Sequence, residues 1–126
     1  MNKFDMTLRK INHDKPLREY YSTHETNEMI ECIHLYNEKI LSSYIPKDIR
    51  KMVVQNVCIE EMMPLALEIL RLNEMVEVEY YPGDLLSAVI RVNKSYWDRH
   101  KDERLEVEAM LGKIKERIDT FIQIFN

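Results

Sequence analysis

Apolar residues recur at helical spacing through most of the chain. Met29, Ile33, Tyr36 and Ile40 mark one face, widened by Ile30 and Leu41. Ser22 and Glu25 have capping-box spacing and Thr26 offers a second cap, so a first helix is predicted from there to Ser42-Ser43. Pro46 marks the start of a second helix, because the amide it lacks would have no helical partner at that position. Its stripe is Ile45, Ile49, Met52, Val53 and Val57, and the chain must bend around Asn56-Val57-Cys58. Ile59 to Leu72 predicts a third helix with Met62, Met63, Leu65, Ala66, Leu67, Ile69 and Leu70 on nearly every side. A helix apolar all round is buried, which makes this one central. It tolerates Pro64 only in its first turn.

Val76, Val78 and Tyr80 then alternate with Glu77 and Glu79, the period of a strand. A strand needs a partner, and only the N-terminal arm could supply one, so 73–82 reads as an extended loop. One of the two tyrosines Tyr80 and Tyr81 should face outward from it. Gly83-Asp84 opens a fourth helix through Ile90, with Asp84 placed to accept the free amides of the first turn. A short helical turn over Asn93–His100 carries Tyr96 and Trp97, the latter expected in the core. Val107, Leu111, Ile114, Ile118, Ile122 and Phe125 hold a final stripe. In residues 1–21, Phe4, Met6, Leu8 and Ile11 suit a short strand or an ordered arm that Pro16 ends, with Arg18–Tyr21 packing onto the body. The expected fold is all-α: a single compact bundle of five to six helices over 1–126, with an extended loop before the fourth.

Composition narrows this picture. With 126 residues, 45% hydrophobic and 32% charged, the chain can close one core. Two glycines and four prolines leave few turns, which favours long elements over many short strands. No apolar run approaches the roughly 20 residues of a membrane span, and no secretory h-region follows Met1. Cys32 and Cys58 sit among apolar neighbours and read as reduced, buried thiols of a cytosolic protein. A net charge of -4 disfavours non-specific nucleic-acid binding and suits a basic protein partner.

Catalytic patterns are weak. Glu31-Cys32-Ile33-His34 has the Glu-x-x-His spacing of di-metal helical bundles, but no second copy follows it. His13, His24 and His100 are scattered, and there is no phosphate loop or nucleophile elbow. A helix-turn-helix over Asp48–Leu70 would aim Glu60, Glu61 and Glu68 at phosphates, the wrong sign. No metal or other cofactor and no enzymatic activity are therefore expected. Glu74, Glu77 and Glu79, extended by Asp84, form an acidic cluster able to steer a basic partner.

Two blocks carry a resemblance. Gln55 followed after eight residues by Pro64-Leu65-Ala66-Leu67-Glu68-Ile69-Leu70, and then Tyr81-Pro82-Gly83-Asp84-Leu85-Leu86 with Trp97 beyond, resemble a family of immunity proteins from bacterial contact-dependent growth inhibition systems. The match spans about residues 49 to 100. It departs from the pattern at Asn56, where a glycine is expected, at Asn73-Glu74 in place of Asn-Pro, and near Val78, where a loop glycine is replaced. These departures bear on the loop conformation.

The resemblance implies a cytoplasmic bacterial antidote that binds and blocks the C-terminal toxin domain of a secreted effector, as a monomer or weak homodimer and without catalysis. It also implies that Gln55, Pro64, Leu65, Ala66, Leu67, Tyr81, Pro82, Gly83, Asp84, Leu85 and Trp97 are scaffold. Toxin contacts must differ between cognate pairs, so they are expected on exposed acids flanking the motif: Glu74, Glu77, Glu79, Asp98, Asp102 and Glu103. The competing readings are a helical regulatory or structural subunit dimerising through the Val107–Phe125 stripe, and a metal-dependent enzyme.

Overall fold

The computed structural model describes residues 2–17 and 26–125, and every regular element among them is helical. The helices are α1 (Leu8–Ile11), α2 (Asn27–Glu38), α3 (Pro46–Val54), α4 (Ile59–Leu72), α5 (Asp84–Ile90), α6 (Lys94–Arg99) and α7 (Lys101–Ile124). Single 3-10 turns lie at Lys3–Asp5 and Leu41–Ser43. The all-α class holds, with seven helices among the described residues where five to six were expected, α1 being the addition at the N-terminus. The Ser22–Glu25 capping box, the packing of Arg18–Tyr21 and His24 lie outside the described residues. The chain divides into two compact units, Met1–Val89 and Ile90–Asn126.

In the first unit, the N-terminal arm is a turn and a short helix, each started by its own cap. Asn2 accepts the Phe4 amide at 2.9 Å, and Thr7 accepts that of Lys10 at 3.1 Å. Leu8 is fully buried, Arg9 donates to Asn37 at 3.0 Å, and the Tyr36 phenol donates to the Lys15 carbonyl. Thr7 forms an isolated antiparallel bridge with Ile40, beside which the Leu41 amide donates to the Met6 carbonyl at 2.9 Å. That bridge explains why α2 ends at Glu38, short of the Ser42-Ser43 expected. Lys39 turns extended, and Ile40 pairs with the arm instead of continuing the helix. Thr26 is the observed cap, accepting the Met29 amide at 3.2 Å. The buried face of α2 is Met29, Cys32, Leu35 and Tyr36, rotated away from the predicted Ile30.

Pro46 occupies the first position of α3, and the Asp48 carboxylate accepts the Ile45 amide at 3.1 Å and the Lys39 ammonium at 2.6 Å. The bend after α3 is built from left-handed residues, Asn56 at φ 58° and Cys58 at φ 52°. Asn56 stands where the family pattern has glycine, and asparagine is among the side chains that tolerate this region best.

Pro64 is the sixth residue of α4, not a first-turn residue as expected. A proline there removes one helical hydrogen bond and costs about 3 kcal/mol. The helix persists because Met62, Met63, Ala66, Leu67 and Leu70 are all fully buried, and each large side chain contributes roughly 1.5–3 kcal/mol. α4 packs chiefly on α3. In α5, Leu85, Leu86, Ala88 and Val89 are buried.

In the second unit, Asn93 caps α6 by accepting the Ser95 amide at 3.0 Å, and α7 follows after His100. Of α7 only Val107 and Met110 are buried; Ile118, Phe121, Ile122 and Phe125 are exposed. No helix among the described residues is long and apolar enough to cross a membrane.

Candidate functional site

The loop between α4 and α5 is organised by one carboxylate. Asp84 is fully buried, and its Oδ1 accepts the Val78 amide at 2.9 Å. Its Oδ2 accepts the amides of Glu79 at 2.9 Å and Tyr80 at 2.8 Å. The residue therefore bonds backward to the loop, a correction to the expected cap over the first turn of α5. Asp84 is the first residue of α5, and the helix opens with the Gly83 carbonyl accepting the Ser87 amide at 2.8 Å.

Burial alone would push the Asp84 carboxyl up. The amides of Tyr80, Val78, Glu79 and Tyr81 outweigh it and hold the group below the ordinary carboxylate range. Gly83 has φ 83°, and its amide donates to the carbonyls of Met75 at 3.0 Å and Val76 at 3.2 Å, closing the loop on itself. The strand-like alternation of 76–80 is thus spent on wrapping a carboxylate, and the loop reading holds.

Arg50 on α3 supports this loop from beneath. Its Nε lies 3.3 Å from the Asp84 carbonyl and 3.7 Å from Oδ2, and its Nη1 donates to Glu79 at 3.3 Å. Its guanidinium also sits 5.1 Å from the centre of the Tyr80 ring, and Lys47 lies 4.0 Å from Glu79. Sequence reasoning missed Arg50. On the polar face of an amphipathic helix it reads like any solvated basic residue, and its 14% exposed side chain becomes evident only in the fold.

The acidic positions separate accordingly. Glu77 is exposed and Glu74 half-buried, whereas the Glu79 side chain is only 12% exposed between Arg50 and Lys47. Glu79 is therefore corrected from an exposed acid to a member of the internal ion-pair group. Both tyrosines face outward, where one was expected: Tyr80 is 68% exposed and Tyr81 44%. Asp98, Asp102 and Glu103 belong to the second unit, where they line one polar depression with Arg99, His100 and Lys101. Glu103 accepts the Tyr96 phenol, His100 stacks on Tyr96 at 4.0 Å, and Asp98 pairs with Lys94 at 2.9 Å.

Among the motif residues, Ala66, Leu67, Gly83 and Leu85 are buried, Leu65 is half-buried, Pro64 and Pro82 are exposed, and Gln55 closes α3. Trp97 was expected in the core. It is half-buried instead, donating to the Val92 carbonyl at 3.2 Å and lining an open cleft of about 390 Å³ with Val107 and Leu111. Among the described residues, no three His, Cys, Asp or Glu side chains gather as a metal site.

Comparison with known families bears on this arrangement. The family model described as CDI immunity proteins matches residues 13–107, a span that takes in the Asp84 loop, α4 and Trp97. The chain belongs to this family. No curated protein and no solved structure gives a match. The family match includes Val107 of α7 and stops before the exposed apolar residues from Leu111 onward.

Proposed function

We propose that the chain is the antidote of a contact-dependent growth inhibition system, acting in the bacterial cytoplasm. It binds the C-terminal toxin domain of its cognate effector in a stoichiometric complex and neutralises it without catalysing a reaction. The observation that carries this reading is the family match across residues 13–107. That match covers most of the first compact unit and continues into the second, in keeping with 1–126 being one immunity domain, which we propose works as a monomer or a weak homodimer.

The exposed carboxylates fit the role. Glu77 on the loop, and separately Asp98 and Asp102 on the second unit, present acid to a basic partner and would raise its association rate, with half-buried Glu74 and Glu103 beside them. Glu79 is left out of the loop's acidic surface because Arg50 and Lys47 hold it internally.

This reading places the gene of a large secreted effector beside that of the chain, and the test is co-expression with that effector's C-terminal domain. Growth should be arrested by that domain alone and restored by the pair, and the two should co-elute as a complex of defined mass. Arrest that persists on co-expression, with no complex, would reject the reading.

A further inference from the structure

We propose that Tyr80 is the aromatic anchor of the toxin-facing surface, seating in an apolar recess of a partner whose surrounding surface is basic. This rests on the immunity reading and adds to it a place and a chemistry. Tyrosine is enriched among residues that dominate binding, because it brings a large amphipathic surface with few rotatable bonds.

An exposed side chain is ordinarily free to move, and ordering it on binding costs about 0.5–1.5 kcal/mol. Tyr80 is 68% exposed yet restrained at its backbone and over its ring face. Its amide is fixed on the Asp84 carboxylate at 2.8 Å, and its ring lies over the Arg50 guanidinium. Much of the ordering cost is thus met within the free protein.

The surroundings specify the partner. Tyr81 at 44% and Met75 at 39% exposure, with exposed Pro82, make an apolar patch in the same loop. On the same loop Glu77 is exposed and Glu74 half-buried, while the internal group of Glu79 and Asp84 with Arg50 and Lys47 is balanced in charge, so the acids at the surface set the sign. An apolar centre with a polar rim is the anatomy of a protein interface, and the sign of this rim selects a basic partner over an acidic one.

The experiment uses the full chain and the purified C-terminal domain of the adjacent effector. Tyr80→Ala should weaken binding about thirtyfold or more, Tyr80→Phe should retain most of it, and Glu77→Lys should slow association and reduce its salt dependence. In the unsubstituted chain, oxidative labelling of Tyr80 read by mass spectrometry should fall on complex formation. This second measurement stands even if Tyr80→Ala destabilises the loop. Binding by Tyr80→Ala within threefold of the parent, or unchanged labelling of Tyr80 in a formed complex, overturns the anchor and leaves the immunity reading intact. Failure of the unsubstituted chain to bind the toxin domain overturns both.

Discussion

Arg50 and Asp84 meet at two points: the arginine Nε is 3.3 Å from the aspartate carbonyl and 3.7 Å from its carboxylate. They come from different helices, 34 residues apart, and between them they hold the loop that both tyrosines decorate. Asp84→Ala would leave the amides of Val78, Glu79 and Tyr80 and the Arg50 guanidinium without their anion. The expected cost is about 3–5 kcal/mol, as for breaking a buried ion pair. Arg50→Met keeps the amide bonds to Asp84 and should cost less, about 1–3 kcal/mol. Urea denaturation of both variants would show the order, and the reverse order would assign the loop to Arg50.

The same carboxylate gives a pH dependence of fixed sign. A group depressed in the folded state stabilises fully above its unfolded value, about 3.9 for aspartate, and loses that effect as pH falls through the folded value. The stability gap between the parent and Asp84→Asn should therefore be flat from pH 5 to 8 and narrow below pH 4. A gap unchanged down to pH 2 would contradict the amide cage.

Left-handed backbone makes two further positions sensitive to substitution. Gly83→Ala should cost about 1–2 kcal/mol through its φ of 83°, with a small addition where the new methyl meets the mobile end of Met75 at 3.0 Å. Asn56→Gly should be close to neutral, whereas Asn56→Val should cost at least as much as Gly83→Ala because β-branching is incompatible with φ 58°. Thermal unfolding of the three variants ranks them directly.

The thiols should be inert in the folded protein. Burial pushes both Cys32 and Cys58 up to about 12, so the thiolate that reacts with alkylating reagents is scarce at pH 8. Iodoacetamide should label neither in native buffer and both in urea. Rapid native labelling of Cys58, the less buried of the two, would show that the bend before α4 opens.

α3 and α4 were legible because most of their periodic apolar residues are also their buried ones. The Ile59–Leu72 prediction matches α4 at both ends, and Pro46 started α3 as its missing amide requires. What escaped depended on partners distant in the chain. The end of α2 is set by Thr7, 33 residues upstream of Ile40, and no local pattern near Ser42 records it. The role of Asp84 was misread because a capping residue and an anion cage share the same sequence signal, an acid beside a glycine. Glu79 looked exposed because its cation lies on α3. The exposed residues of α7 show the opposite limit: Ile118 and Ile122 have the spacing of a buried stripe, yet stand 53% and 49% exposed.

The bonds that shape the loop run from Asp84 to main-chain amides, which every residue except proline possesses. The shape of 78–80 is therefore largely independent of which side chains it carries. Replacements at Tyr80 can change what the loop displays while the chain folds as before. On the function proposed above, a bacterial lineage facing an altered toxin could revise recognition here one residue at a time, without passing through an unfolded chain.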